Sequence, residues 1–188
     1  MPLRKLFTFL FLLLSTTILS SQPNDPSKAE VYIVRTDIGG GIINFKFFVD
    51  DQFVGKFNHG KYLRLELDPG EQIIWATSEN RSFVKANLKA GETYVLNALP
   101  VAGALKAGVM IFPLQDPEKG VMRRAKRYVA KFKEKIMTKE EIAKDQEKFA
   151  EIIRFGLEKY KAVKDKPRVK VLDTSVDWES IPLKKVKR

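Results

Sequence analysis

The chain contains no cysteine and only one histidine, His59. The lack of cysteine excludes disulfide bonds, thiolate metal sites, cysteine nucleophiles and a thioether-linked lipid near the amino terminus. A single imidazole excludes any site that is built from two or more histidines. The sequence therefore predicts no cofactor and no metal site, and the stability of this 188-residue chain must come from its core.

The amino terminus carries a hydrophobic run that is short for a membrane span. Arg4 and Lys5 precede LFTFLFLLLSTTILSSQ, which has roughly fourteen mostly apolar residues before the small residues that begin at Ser20. This pattern is typical of a cleaved signal peptide over residues 1–21. The alternative is a membrane anchor, but a span needs about 20 apolar residues, and a serine and two threonines interrupt this run. We predict an exported protein, periplasmic or secreted.

The net charge of +11 is unevenly distributed along the chain. Residues 22–116 contain ten Lys and Arg against eleven Asp and Glu, whereas residues 117–188 contain 22 against 12. The length suits one domain with an appendage, so a neutral front part joins a strongly basic back part. This asymmetry predicts an electrostatic role for the back part.

The front part, residues 29–115, has the turn spacing of an all-β domain. Turn signals recur about every ten residues, and regular short spacing of this kind predicts an antiparallel sandwich or barrel of seven or eight strands. The signals are Gly39-Gly40-Gly41, Asp50-Asp51-Gln52, Asn58-His59-Gly60, Asp68-Pro69-Gly70, Glu79-Asn80-Arg81 and Lys89-Ala90-Gly91.

The segments between these turns alternate apolar and polar residues, as half-buried strands do. Leu63, Leu65 and Leu67, for example, alternate with Arg64 and Glu66. A near-continuous apolar run around Trp75 instead predicts a central strand that is buried on both faces. We expect no helix longer than a turn before Asp116.

Paired acids and the lone histidine stand in the turns, where they have a structural explanation. Asp50 and Asp51 form the turn of a hairpin in VDDQFVG, because aspartate tolerates left-handed backbone conformations and binds local amides. Neighbouring carboxylates at a strand end also point to opposite sides, which suits acid–base catalysis poorly. His59, in FNHGKY, has no nearby acid or nucleophile and is predicted to be an exposed turn residue.

A family resemblance covers about residues 30–115. FFVDDQFVGKFNHGKYLRLELDPGE followed by NLKAGETYVL resembles bacterial domain-of-unknown-function family 2846, and the Pro-Gly turn is similar to that of carbohydrate-associated sandwich repeats of the PEGA kind. The resemblance implies an exported immunoglobulin-like β-sandwich, and it assigns no catalytic residue. Members of the family often carry a lipid-bearing cysteine after the signal, whereas this chain has Gln22 there.

From Asp116 the apolar residues recur with the period of a helix. Asp116-Pro117-Glu118 is a helix-start pattern, and the start alternatively lies near Val121. One stripe of the predicted helix is apolar: Val121, Met122, Ala125, Tyr128, Val129, Phe132 and Ile136. The other face is basic, and we predict that it contacts anionic surfaces through Arg123, Arg124, Lys126, Arg127, Lys131, Lys133 and Lys135.

A second helix is predicted from Thr138 to about Lys164. Thr138 and Glu141 match a capping box, and the short connection predicts that residues 116–164 form an antiparallel helical hairpin. Its apolar side must be covered by the sandwich or by the first helix. Residues 165–188 are predicted to be an extended tail with an edge strand at 169–172, a docked Trp178 and a frayed basic end.

These features favour a non-enzymatic envelope protein that binds anionic lipid headgroups or acidic glycans, with an envelope protein as a further candidate partner. The alternatives are a basic face that is merely solvated, and a glycan-processing enzyme that pairs Asp50 or Asp51 with Glu66 or Glu71. Nucleic acid is not predicted as a partner, because the basic tract lacks interleaved aromatic residues and export removes the protein from the genome.

Overall fold

The computed structural model describes residues 25–37, 43–103, 107–115 and 120–183. The predicted signal peptide, the triple-glycine turn at 39–41, the predicted helix start at 116–118 and the basic residues at 184–188 lie outside these residues.

The described residues form ten strands and three helices. Eight strands precede the first helix, which confirms the predicted number, and no helix precedes them within the described ranges. The elements are β1 (Ala29–Val34), β2 (Phe45–Val49), β3 (Gln52–Phe57), β4 (Lys61–Leu67), β5 (Gly70–Thr77), β6 (Arg81–Leu88), β7 (Thr93–Ala102), β8 (Ala107–Pro113), α1 (Gly120–Lys131), β9 (Lys133–Glu134), α2 (Lys139–Lys148), α3 (Ala150–Val163) and β10 (Lys170–Leu172).

The strands form two five-stranded mixed sheets. Sheet 1 has the order β8-β7-β1-β4-β9, and sheet 2 has the order β10-β6-β5-β2-β3. The expectation of purely antiparallel pairing is wrong, because β1 and β7, β4 and β9, and β6 and β10 pair in parallel. All three exceptions join strands that are far apart in sequence, whereas turn spacing reports only on hairpins between consecutive strands.

One hydrophobic cluster lies between the two sheets and takes side chains from both. Val31, Ile33 and Leu96 enter it from sheet 1, and Phe47 and Ile74 enter it from sheet 2; all five are fully buried. The predicted alternation supplies these residues, since Leu63, Leu65 and Leu67 pack here while Glu66 is exposed. We call the two sheets and this cluster the two-sheet core.

The helices cover opposite outer faces of the two-sheet core. Tyr128 and its α1 neighbours pack against Tyr32 and Val34 of sheet 1, whereas Phe149 and its helical neighbours pack against Trp75 of sheet 2. The predicted helical hairpin with a shared seam is therefore not observed. The physical reason is that both sheets also present apolar side chains outward, and each helical stripe buries more apolar surface on a sheet than it would on a narrow helix.

The segment between the helices is longer than the predicted connection of one or two residues. α1 ends at Lys131, β9 then pairs with β4, and α2 begins at Lys139. The capping box is confirmed, because Glu141 N donates to Thr138 Oγ1 at 3.2 Å and Thr138 N donates to Glu141 Oε2 at 2.9 Å. Ile136, predicted in the apolar stripe, lies in this connection and is 76% exposed.

A close approach of helix to sheet determines the position of α3. A Cβ atom built on Gly156 would lie 2.4 Å from Cη2 of Trp75, a separation that real contacts do not show. Gly156 therefore allows the helix backbone to rest directly on the indole ring, which is fully buried and stacks on Phe48 with ring centroids 4.0 Å apart.

The edge strand β8 of sheet 1 lies beside β6 of sheet 2, and polar side chains join the two strands. Val109 N donates to Asn80 Oδ1 at 2.6 Å, and Asn80 Nδ2 donates to Val109 O at 3.0 Å. Ile111 N donates to Ser82 Oγ at 3.0 Å. These bonds satisfy backbone groups that an edge strand would otherwise leave open, so β8 ends sheet 1 without offering a free edge there.

Candidate functional site

The solvent-facing side of α1 carries a row of cations. Arg124, Arg127 and Lys131 are spaced three and four residues apart, which places them on one stripe of the helix, and all three are exposed. The opposite side of α1 carries Met122, Ala125 and Tyr128, which are buried against sheet 1. We call Arg124, Arg127 and Lys131 the α1 stripe.

The seven predicted contact residues do not all lie on this stripe. Lys133 is exposed but belongs to β9, and Lys135 follows it with its Nζ donating to the carbonyl of Ile136 at 3.2 Å. Arg123 is half-buried. Within the described ranges, the three residues of the α1 stripe and Lys133 form no ion pair with an acid.

Lys126 has a structural role that the sequence did not indicate. Its Nζ donates to the carbonyl oxygens of Trp178 at 2.6 Å and Glu179 at 3.0 Å. Trp178 in turn stacks on Tyr32 with ring centroids 5.0 Å apart, which confirms that this tryptophan docks. Lys126 therefore holds the carboxyl-terminal segment on the outer face of sheet 1 and is not part of the outward basic surface.

The positive charge of the back part is divided between two sides of the molecule. α1 covers sheet 1, whereas α3 and the following segment cover sheet 2 and carry cations of their own. These cations are Arg154, Lys159, Lys161, Lys164, Lys166, Arg168 and Lys170. The sequence predicted the excess of charge correctly but not this division, which results from the opposite placement of the helices.

The carboxylates of the predicted enzyme alternative are mostly engaged in the fold. Asp50 has φ of 49° in the confirmed β2–β3 hairpin, and its Oδ1 accepts a hydrogen bond from Ile73 N at 2.9 Å. Asp50 and Glu71 line the same depression of about 330 Å³, where Glu71 pairs with Lys85 at 3.7 Å. Asp51 and Glu66 do not line this depression.

His59 lies in a turn, as predicted, but the prediction that it is exposed is wrong. Its ring packs edge-on against Tyr128 and Phe132, with centroids 5.6 and 5.4 Å away, and its Nδ1 is buried. Tyr128 also accepts a hydrogen bond at its hydroxyl from Gly60 N at 2.7 Å. The loop that contains His59 and Gly60 is covered because α1, which is distant in sequence, packs against it.

A polar cleft of about 710 Å³ lies beside the docked carboxyl-terminal segment. It is lined by aromatic residues and by more acids than bases: Glu30, Tyr32, Tyr62, Arg64, Gly91, Glu92, Thr93, Glu134, Ser175, Val176, Asp177, Trp178 and Glu179. No sequence motif pointed to this cleft, because its residues come from strands and a tail that are distant along the chain.

Glu30 is the most engaged acid in the cleft. It is 7% exposed and accepts hydrogen bonds from Arg64 Nε, from the Tyr32 hydroxyl at 3.2 Å and from Thr93 Oγ1 at 3.3 Å. Burial raises the pKa of Glu134 above its ordinary value, and Arg64 opposes this effect. Burial likewise raises the pKa of the Tyr32 and Tyr62 hydroxyls.

Two further features are absent from the part of the chain that the structure covers. No group of three or more His, Asp or Glu side chains there has the arrangement of a metal site. None of the helices in that part is long and apolar enough to span a membrane.

Comparison with known proteins adds no relative. No protein-family model matches the chain, and no curated protein matches it in sequence. The resemblance to domain-of-unknown-function family 2846 stays a prediction.

Proposed function

We propose that the protein is an exported, non-enzymatic binding module of the cell envelope, located at the periphery of a membrane. The α1 stripe is its contact with anionic envelope components, of which lipid headgroups and acidic glycans are the candidates. In this proposal residues 1–21 are removed as a signal peptide, and the contact with the envelope is electrostatic; the chain has no cysteine that could carry a lipid.

One observation supports this proposal above the others. The α1 stripe consists of three exposed cations on one helix side, and none of them pairs with an acid in the described ranges. Arg154 on α3 behaves differently, since it pairs with Glu151 at 3.5 Å and with Glu158 at 3.1 Å. A stripe without local carboxylates remains available to external anions.

The expected binding is weak and reversible. A basic residue near an anionic membrane contributes about 1 kcal/mol, so three residues contribute roughly 3 kcal/mol, or a partition ratio on the order of 100-fold. Salt weakens the attraction, because the Debye length falls from about 10 Å at 0.1 M to about 3 Å at 1 M.

Vesicle flotation tests the proposal. The mature protein is mixed with vesicles of anionic phospholipid, or with vesicles of zwitterionic phospholipid only, at low and at high salt. Flotation only with anionic vesicles, and only at low salt, supports the proposal. Absence of flotation at low salt, or flotation that salt does not weaken, contradicts it and leaves a basic face that is merely solvated.

We further propose that the two-sheet core is an immunoglobulin-like sandwich related to domain-of-unknown-function family 2846. The support is the shared order of a Val-Asp hairpin, a Gly-x-Tyr strand start, a Pro-Gly turn and an Ala-Gly-x-Thr-Tyr strand start, which stand at β2–β3, β4, β4–β5 and β7. Pairwise structural superposition onto a solved member of that family would test the relation.

The glycan-processing enzyme is the second candidate, and the polar cleft is the place that favours it. Glu30 and Glu134 both line the cleft, and the raised pKa of Glu134 suits a general acid. Glu30, however, already accepts three hydrogen bonds from side chains. Release of sugars from acidic glycans by the protein, with loss of release in Glu134→Gln, would favour the enzyme over the binding module.

A further inference from the structure

An apolar groove opens where the edges of the two sheets meet the end of α3. It has a volume of about 570 Å³, within the range of about 300–1,000 Å³ that is typical of ligand sites. Its floor is formed by β6, β8 and α3, from which Phe83, Val109, Ile111 and Val163 are each at most 4% exposed. The groove lies beside the junction of β8 and β6, which belong to different sheets.

The mouth of the groove is adaptable and partly apolar. Met110 lines it and is 42% exposed, although its neighbours along β8 are buried. An unbranched thioether side chain fits irregular apolar shapes more readily than a branched one. The mouth can therefore accept a flexible hydrocarbon chain.

The rim of the groove carries charge of one sign. Four cations line it, namely Arg81, Lys159, Arg168 and Lys170, and no acid is among its described lining residues. Lys159, Arg168 and Lys170 form no ion pair within the described ranges. An apolar floor below cations without local carboxylates is complementary to a molecule with an apolar chain and an anionic head.

We propose that this groove binds the single long alkyl chain of an anionic amphiphile, with the phosphate or carboxylate head at the cationic rim. The chain lies on Phe83, Val109 and Val163, and Lys159, Arg168 and Lys170 neutralise the head. This site is distinct from the α1 stripe, because it lies on the α3 side of the two-sheet core. It would let the protein hold one lipid-like molecule rather than only rest on a charged surface.

Calorimetric titration of the mature protein with dodecyl phosphate, below its micelle concentration, tests the site. We expect saturable binding of one molecule with a negative heat-capacity change. Octyl phosphate has the same head and a shorter chain, and we expect affinity on the order of 100-fold lower. Dodecyl maltoside has the same chain and a neutral head, and we expect affinity at least about tenfold lower.

Variants locate the binding. Arg168→Glu with Lys170→Glu reverses two rim charges, and we expect dodecyl phosphate to bind at least about tenfold more weakly. Met110→Trp fills the mouth, and we expect it to weaken binding while the rim charges stay unchanged. Lys161→Glu with Lys166→Glu is the matched control, because both lysines are exposed nearby without lining the groove, and affinity should stay within about threefold.

The outcomes separate this site from the α1 stripe. Reversal of Arg124, Arg127 and Lys131 to glutamate should abolish vesicle flotation and leave dodecyl phosphate binding unchanged. The groove proposal is overturned by a lack of saturable binding, by equal affinity for the neutral amphiphile, or by equal effects of the rim and control variants.

Discussion

At the scale of single residues, a small side chain is decisive where α3 rests on Trp75. Gly156→Ala removes a glycine from a helix, which alone would stabilise the helix by about 1 kcal/mol. The new methyl group would however lie 2.4 Å from the indole, so the helix must shift. We expect net destabilisation by about 1–3 kcal/mol, measured as the free energy of unfolding in urea.

Gly120→Ala is the matched control for this prediction. Gly120 is also helical, but among the described residues a Cβ there has only Arg123 Nη2 within 4 Å, at 3.8 Å. The free energy of unfolding of the Gly120→Ala variant should be unchanged or raised by up to about 1 kcal/mol. Equal effects of the two substitutions would show that α3 does not approach Trp75 as described.

Protonation of Glu134 provides a pH-dependent test of the polar cleft. Burial raises its folded pKa above 4.5, so the folded protein binds this proton more tightly than the unfolded chain does. Stability from this group is then present at low pH and is lost as pH rises through the folded pKa. We expect Glu134→Gln to become progressively more stabilising, relative to the unsubstituted protein, as pH rises from about 4 toward neutrality.

Glu140→Gln should show the opposite trend in the same thermal unfolding series. Hydrogen bonds from its own amide and from the Thr138 side chain lower the pKa of Glu140, so its charged form favours folding. The substitution should therefore cost stability near neutral pH and not in acid.

A pH-independent effect of Glu134→Gln on the free energy of unfolding would contradict the prediction for Glu134. It would mean that this carboxylate is as well solvated in the folded protein as in the unfolded chain.

At the scale of elements, Lys126 connects α1 to the carboxyl-terminal segment. Lys126→Met removes the donor for the carbonyls of Trp178 and Glu179, and we expect a loss of about 1–3 kcal/mol. The Val176 amide, which donates to Thr93 O at 2.8 Å, should exchange its hydrogen faster as the segment loosens.

Arg124→Met removes one cation from the same helix without touching that segment. Its unfolding free energy should change by no more than about 0.5 kcal/mol, and the exchange of the Val176 amide should not change. If the two variants behaved alike, Lys126 would be one more solvated lysine and the carboxyl-terminal segment would be held by apolar contacts alone.

The strands were predictable from the sequence because their determinants are local. Alternation of apolar and polar residues and the turn residues of Asp50 and Gly60 lie within a few positions of each strand. The partners of the helices were not predictable, since they depend on which outer sheet face each stripe covers. The sequence contained two signals that the outer face of sheet 2 is apolar and needs a cover. Phe48 stands at an outward position of β2, and the apolar run around Trp75 leaves no polar face on that part of β5.

The candidate sites were less predictable than the strands. The α1 stripe could be predicted because helical periodicity places its residues, whereas Lys126 could not be separated from it without the position of Trp178. The polar cleft and the apolar groove are assembled from segments far apart in sequence, and His59 is covered by α1 for the same reason. Only tertiary packing brings such residues together.

At the scale of the whole molecule, the placement of helices on opposite sheets gives the protein two distinct basic sides. α1 presents cations on the outer side of sheet 1, and α3 with its following segment presents cations on the outer side of sheet 2. A flat anionic surface can contact only one of these sides at a time. Orientation is therefore the property that distinguishes a specific contact from general attraction of a basic protein to acidic surfaces.

Flotation of two charge-matched variants measures that orientation. One carries Arg124→Glu, Arg127→Glu and Lys131→Glu on α1, and the other carries Lys139→Glu, Lys144→Glu and Lys161→Glu on the exposed surfaces of α2 and α3. Both have the same net charge. We predict that at low salt only the α1 variant fails to float with anionic vesicles; equal loss in both variants, or retention in the α1 variant, would contradict an oriented contact through α1.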